Sequence, residues 1–369
     1  MSKLKVALIF GGRSGEHEVS RNSAYTVAQG LKQNYDVFPI GIAKDGQWYG
    51  PIPLSEIPVF TPEKFNEHKI TILPIPATNG TIYSLPDLKP LAKAQVFFPV
   101  LHGTFGEDGT IQGLFELAQV PYIGAGVLAS SAGMDKVIMK NLFAQAELPQ
   151  VPFLPFLRKE IEKDLQTVLQ KIEADLGYPC FIKPVNLGSS VGISKASTQE
   201  QLKSALLTAV HYDRKVIIEK GVEAREFEIS VLGNDEPIVS LPGEIVPGNE
   251  FYDYQAKYIN DNSTLYVPAR LEEGPMQKMQ ELAIKAFKAI DCCGLSRVDF
   301  FITKDTQEIL VNEINTLPGF TAISMYPKLW EHSGISLEYL TSKLVKLALE
   351  HFAEKSKNVT TFTSYEQDR

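Results

Sequence analysis

Cysteine is scarce. Three residues in 369, with Cys180 alone in an apolar run and Cys292 beside Cys293, cannot form a disulfide framework. That usage suits a reducing compartment, and no Cys/His spacing resembles a zinc site. Long hydrophobic runs are missing too. The apolar stretch from Val6 to Phe10 is too short for a signal h-region or a membrane span, so a cytoplasmic protein without a membrane partner is expected. There is no basic block: 36 Lys and Arg stand against 44 Asp and Glu, a net charge of -8, which argues against nucleic acid as a partner. The phosphate-cradling loop Gly-x-x-x-x-Gly-Lys-Ser/Thr occurs nowhere.

What is present looks ordinary in bulk. Apolar residues make up 44% and charged residues 22%, as in a folded globular chain, which excludes disordered, collagen-like and fibrous classes. A length of 369 residues exceeds one ordinary core, so two or three domains are expected. The 26 glycines inform by position: they gather at 11–15, 103–109, 188–192 and 319, each beside a charged residue.

The first third alternates strand-like and helix-like segments, the pattern of an α/β open parallel sheet. Residues 6–10, 37–43 and 95–101 read as buried strands, with helices over 21–32, capped by Ser20, and over 110–119. Residues 50–95 are proline-rich and show no assignable period. In the middle third, helices are expected at 136–146 and 161–176, and strands at 178–184 and 215–221. Between those strands lie a glycine/serine hairpin tip over 185–192, a strand from Ile193 and a capping box from Ser197 to Glu200. The last third reads as strands 226–232 and 237–246, an aromatic loop 251–258 and a helix 272–290. A β-hairpin of 295–303 and 308–315 follows, then a helix capped by Ser336.

Four constellations carry chemistry. In the hairpin near residue 300 the strand period of two puts Arg297, Asp299 and Phe301 on one face, with Glu313 and Asn315 sharing a face of the partner strand. An oxygen-only cluster of two acids and an amide is what a hard cation such as Mg²⁺ requires, and metals held by few carboxylates are typical of nucleotide sites. A plain exposed polar face is the alternative; the turn Leu317-Pro-Gly319, able to aim backbone N–H groups at the same place, favours a site. Lys183 followed by the 185–192 loop can close over phosphates, or be a plain flexible hairpin. The loop 11–20 almost mimics a dinucleotide fingerprint, but Phe10 stands where the first glycine belongs and the dehydrogenase reading fails there. Its Glu16 and Glu18 either favour a helix N-terminus or, at Glu16, receive a substrate ammonium group. In the fourth, 102–109, His102 is either structural or part of a substrate loop.

Together these segments resemble the D-alanine–D-alanine ligase family of the ATP-grasp superfamily. The resemblance runs in order from Phe10 to about Tyr326. It includes Gly-Gly-x-Ser-x-Glu-x-Glu-Val-Ser at 11–20, His-Gly-x-x-Gly-Glu-Asp-Gly at 102–109 and Met-Asp-Lys at 134–136. Gly-Ser-Ser-Val-Gly at 188–192, Phe-Tyr-Asp-Tyr-x-Ala-Lys-Tyr at 251–258, Arg-Val-Asp at 297–299 and Asn-Glu-Ile-Asn-Thr-x-Pro-Gly at 312–319 complete it.

The resemblance implies an ATP-grasp fold behind an N-terminal parallel-sheet domain, divided at 1–124, 125–219 and 220–369. It implies ATP as co-substrate, two Mg²⁺ or Mn²⁺ ions, D-alanine as the amino acid and a homodimer. Lys136 and Lys183 would hold phosphates. Glu219, Lys220 and Val222 would line the adenine pocket, with Glu226 on the ribose and Phe301 at the nucleotide. Asp299, Glu313 and Asn315 would hold the metals. Glu16 would take the first ammonium, in a group with Ser189 and Tyr258. Arg297 and the Gly319 N–H would stabilise the oxyanion, Lys257 and Ser324 would receive the second carboxylate, and His102 would lie beside the substrates. Tyr258 favours D-alanine over D-lactate as second substrate. Met325 departs from the usual leucine. Another ATP-grasp carboxylate–amine ligase or a D-Ala–D-Lac ligase is one competing reading, and an inactive nucleotide-binding regulator is another. The Glu16 loop and Tyr258 argue against the first, and the full set Lys183, Arg297, Asp299, Glu313 and Asn315 against the second.

Overall fold

The computed structural model describes residues 3–188, 191–246 and 264–359, and three sheets are found among them. The first sheet runs, edge to edge, Pro90–Lys93, Thr81–Ser84, Lys69–Ile72, Trp48–Tyr49, Asp36–Ile42, Lys5–Gly11 and Val96–Val100. Lys5–Gly11 pairs in parallel with both its neighbours. Val6 to Phe10 are all fully buried, which is why that strand shows no polar alternation. Val6, Leu8 and Phe10 pack with Ala24, Val27 and Leu31 of the helix His17–Leu31, while Ala7 and Ile9 pack with Ile111 and Phe115 of the helix Thr110–Ala118. The parallel pattern holds for these three strands only. The unassigned segment 50–95 supplies 3₁₀ turns and short strands, and every pairing beyond Asp36–Ile42 is antiparallel. Because Lys5–Gly11 lies between strands that leave in opposite directions along the sheet, the loops after it and after Val96–Val100 open onto one crevice.

Ser20 is not the cap of the first helix, which starts three residues earlier. The Ser20 hydroxyl accepts from the Gly11 N–H at 2.7 Å and donates to the Val100 carbonyl. It ties together the two strand ends that carry the loops 11–20 and 102–109.

The second sheet, Ser194–Ala196, Cys180–Pro184, Lys215–Lys220 and Phe153–Leu157, is antiparallel throughout. One face packs Ile182, Val216 and Ile218 against Leu169, Ile172, Leu202 and Leu206. The helix expected over 161–176 is broken at Asp164, whose side chain accepts from the Thr167 N–H at 3.1 Å and starts a new helix, Leu165–Asp175. The expected capping box sits one residue on: Thr198, not Ser197, accepts from the Gln201 N–H, and the Gln201 side chain answers to the Ser197 N–H. On the opposite face Ile217 meets Val137, in the first turn of the helix Lys136–Gln145. Asp135 caps that helix by accepting from the Val137 and Ile138 N–H groups, worth about 1 kcal/mol. Asp135 also pairs with Lys215, docking the helix end on the sheet.

The third sheet runs Thr264–Tyr266, Gly243–Val246, Ala224–Gly233, Gly294–Thr303 and Ile309–Asn315. The strand expected over 237–246 is two pieces, Ile238–Val239 and Gly243–Val246, separated where Pro242 has no N–H to donate. Phe227, Ile229, Val298, Phe300 and Ile302 pack on the helix Glu273–Ala289. The alternate positions face the other way. The final helix, Leu337–Lys355, is capped by Ser336 as expected and returns to the first sheet, where Leu340 and Leu344 join its core.

One strand in from the edge of this sheet, Glu244 is buried between Arg225 and Arg270, which donate to its oxygens at 2.8–2.9 Å. Burial pushes its carboxyl pKa up, but the two guanidinium groups outweigh that and hold it at about 2. A depressed carboxyl contributes stability that is complete above its ordinary value of 4.5 and disappears as the pH falls toward about 2. Glu244→Gln is therefore expected to cost about 1–2 kcal/mol at neutral pH. The difference from wild type in urea unfolding should shrink through that acid window; a constant difference would remove the ion-pair explanation.

Candidate active site

The third sheet builds a row of charge by alternation. Register pairs Glu226 with Phe301, Glu228 with Asp299, Asp299 with Glu313 and Arg297 with Asn315, so all seven share the face opposite the core. A bulge beyond the Asp299–Glu313 pair leaves Asn312 as the extra residue and keeps Glu313 opposite Asp299. The face-sharing expected for Arg297, Asp299, Phe301, Glu313 and Asn315 is observed. Glu228 was not singled out from the sequence, although its i+2 spacing from Glu226 was visible.

Arg297 is the electrostatic centre of this row. Its Nε and Nη2 donate to Asp299 Oδ1 and Oδ2, both at 2.7 Å, and Nε lies 3.0 Å from Glu228 Oε2. Burial works against the guanidinium charge, but Asp299 and Glu228 outweigh it and raise its pKa. The Asn315 amide donates to Asp299 Oδ2 at 3.0 Å. Among the described residues no group of three or more His, Cys, Asp and Glu converges as a metal cluster. The donor set expected for a metal is two carboxylates plus an amide oxygen, which is chemistry a hard cation accepts with phosphate oxygens or water completing its shell.

Across from the row stand lysines. Lys136 opens the helix Lys136–Gln145; its Nζ donates to the Leu187 carbonyl at 2.9 Å and lies 4.0 Å from Glu313 Oε2. It therefore bridges the glycine-rich hairpin tip and the carboxylate row. Lys183, on its strand, pairs in register with Ile217, so it shares a face with Glu219 two residues on. The two form a 2.6 Å ion pair. Glu219 is 3% exposed. Burial pushes its pKa up, but Lys140 and Lys183 outweigh that and lower it. The side chain expected at an adenine pocket is thus spent on two ammonium groups. Lys220 is exposed, Val222 and Glu226 are half-buried, and the Lys220 N–H donates to the Pro152 carbonyl at 2.9 Å.

Glu16 is where the N-terminal loops meet. A Cβ on Gly103 would lie 2.7 Å from Glu16 Oε2, and one on Gly188 would lie 3.0 Å from the same oxygen. Gly103 also has φ +75°, so side-chain strain adds to the missing room. The three glycine-rich segments, far apart in sequence, converge on one carboxylate.

His102 lies behind this point rather than open to it. It is 4% exposed. Its Nδ1 is 3.1 Å from the Leu317 carbonyl and its Nε2 3.1 Å from Ser23 Oγ, which also accepts from the Phe320 N–H at 3.1 Å. Both ring nitrogens are thereby used to hold the 317–320 turn that carries Gly319. Burial lowers the imidazole pKa, but Glu107 beside it raises it further. Ser324 closes the same turn, accepting from the Thr321 N–H at 3.0 Å. Ser189, Lys257 and Tyr258 lie outside the described residues, as does the expected aromatic loop 251–258.

Two facing sheets, one bearing lysines and one bearing a carboxylate row, behind a domain with a partly parallel sheet define an ATP-grasp enzyme. Comparisons bear this out. The family description "D-ala D-ala ligase N-terminus" matches residues 5–125 and "D-ala D-ala ligase C-terminus" residues 142–346. The chain belongs to the D-alanine–D-alanine ligase family. The D-alanine--D-alanine ligase of Heliobacterium modesticaldum is 52% identical over 364 residues, covering 98% of each chain. That of Natranaerobius thermophilus is 47% identical, over 98% of this chain and 100% of the relative. Among solved structures, the D-alanine-D-alanine ligase from Coxiella burnetii superposes with a TM-score of 0.84 at 34% identity, covering 97% of both chains. The VanG D-Ala:D-Ser ligase from Enterococcus faecalis also reaches a TM-score of 0.84, at 37% identity, covering 94% of this chain and 100% of that one.

Proposed function

We propose the following division of labour for an ATP-dependent ligase that joins two D-alanine molecules into D-alanyl-D-alanine, a precursor of peptidoglycan. The observation that carries it is the convergence on one crevice of the Glu16 carboxylate, the Lys136 and Lys183 ammonium groups and the Asp299–Glu313 row.

The chemistry needs each part. A carboxylate is a poor acyl donor. Its oxygen attacks the γ-phosphorus of ATP, the bond to the β-phosphate oxygen breaks, and ADP leaves behind an acyl phosphate. Lys136 and Lys183 offset the phosphate charge. Glu16 holds the first ammonium group and so orients that carboxylate. The amine of the second D-alanine, deprotonated, then attacks the acyl carbon; the C–O bond breaks and phosphate departs. Charge builds on the carbonyl oxygen, which Arg297 and the Gly319 N–H stabilise. His102 acts by fixing the turn that presents Gly319. Asp299, Glu313 and Asn315 would hold two Mg²⁺ or Mn²⁺ ions, which when bound supply positive charge to the phosphate oxygens. Val222 and Glu226 would border the nucleotide together with the backbone of Glu219 and Lys220, and Phe301 would underlie it. Ser189 and Tyr258 complete the Glu16 group, while Lys257 and Ser324 receive the second carboxylate. The same reading divides the chain at 1–124, 125–219 and 220–369 and places a homodimer in the cytoplasm.

Purified protein given ATP, Mg²⁺ and D-alanine is expected to release ADP, phosphate and the dipeptide in equal amounts, read by coupled ADP detection and chromatography. ADP formation with another amino acid but never with D-alanine would sink this function.

A further inference from the structure

Among the described residues, Lys140 is a fully buried lysine near the site that the mechanism above leaves without a task. It lies four residues after Lys136, on the same side of the helix Lys136–Gln145, and is 0% exposed. Its Nζ has one close anion, Glu219 Oε1 at 3.3 Å, in a direction that falls short of a hydrogen bond. The ring of Phe153 lies 5.7 Å below it. The other oxygen of Glu219 holds Lys183 at 2.6 Å. One buried carboxylate is thus shared by two buried ammonium groups.

That arrangement is costly. Burying an ammonium group costs several kcal/mol, and an apolar side chain of similar shape would fill the space at less expense. Burial accordingly pushes the Lys140 pKa down, with Glu219 only partly opposing it. A Glu219–Lys183 pair alone would be neutral and closed on itself. When Lys140 is charged, Glu219 is divided between two cations, and only Lys183 of the two lies on the strand that leads into the 185–188 loop.

We propose that Lys140 is a positioning residue for ATP: by taking one oxygen of Glu219, it leaves Lys183 aimed and less fully neutralised by that carboxylate, and so available to a phosphate group, without itself touching the nucleotide. The inference rests on the reading of Lys183 as a phosphate ligand. It goes beyond that reading by assigning Lys183's affinity for phosphate to a third, hidden side chain.

The test compares Lys140→Met, Lys183→Met, Glu219→Gln and the Lys140→Met/Glu219→Gln pair in the full enzyme. Lys140→Met is expected to raise the KM for ATP about tenfold, and the Kd for ATP equally, with the KM for D-alanine unchanged. A plain packing role would instead lower thermal stability and weaken both substrates together, and that outcome overturns the proposal. So does an unchanged KM for ATP. The paired variant should weaken ATP by less than the product of its two single effects, because both act through Glu219; strict multiplication overturns the shared-carboxylate argument. Lys183→Met distinguishes the two levels. If it leaves ATP binding intact, the phosphate reading falls and takes this inference with it. If it weakens ATP while Lys140→Met does not, only the inference falls. Should Lys140→Met not fold, Lys140→Gln carries the same expectation of weakened ATP binding, and its failure to appear counts against the proposal in the same way.

Discussion

Asp299→Ala and Glu313→Ala are each expected to lower kcat for dipeptide formation by about 10³-fold or more, measured as ADP release at saturating ATP and D-alanine. The two carboxylates face each other across the strand pair Gly294–Thr303 and Ile309–Asn315, on the side of the sheet turned away from the core. Neither contributes apolar packing, but Asp299 is also the main anion of Arg297, so Asp299→Ala is expected to lose stability as well, and kcat is compared on protein shown to be folded by its urea unfolding curve. What is lost is the capacity to bring cations against the transferring phosphate, where negative charge is most crowded. Glu313 also lies 4.0 Å from Lys136 Nζ, so its loss frees that lysine to pair differently. Activity within tenfold of wild type in either variant would reject the pair as the metal-holding set.

Arg297→Met should combine two losses. Arg297 is held by Asp299 and Glu228, and truncating the cation of a buried ion group leaves its anions in a low-dielectric site. A stability loss of about 3 kcal/mol is expected in urea unfolding. The catalytic loss is separate, because the oxyanion then lacks its charged partner. Combining Arg297→Met with Asp299→Asn separates the two: stability should partly return while turnover stays absent. A double variant no more stable than Arg297→Met would show that charge burial is not the cause.

Much of the site was legible in the sequence because its signals are local. A strand repeats every two residues, so Arg297, Asp299 and Phe301 had to share a face once the hairpin was assigned. The hairpin at 309–315 kept its expected pairing in spite of the bulge at Asn312, because Glu313 and Asn315 lie on one side of it. The lysine on the strand Cys180–Pro184 followed the same rule. Several departures concern the ends of elements. Ser20 looked like a cap because serine often is one, yet a hydrogen bond between two strand ends claimed its hydroxyl. Asp164 broke an otherwise periodic helix by offering a cap in mid-run. The short strands of 50–95 were illegible because each is too brief to show a period and is held by its neighbours in the sheet.

The type and order of the parts were set by short-range spacing: a buried parallel strand leading to a glycine-rich turn, a lysine-bearing strand, a carboxylate-bearing hairpin and the family they belong to. These depend on spacing within a few residues, where backbone geometry leaves little choice. Which parts meet was settled by long-range packing. Glu16 touching two glycine loops, His102 turned inward to brace the 317–320 turn, and Glu219 divided between Lys140 and Lys183 all join residues tens to hundreds of positions apart. No local period encodes such contacts. They follow from how three sheets and their covering helices pack, and a buried charge reveals its partner only once that packing has removed water from around it.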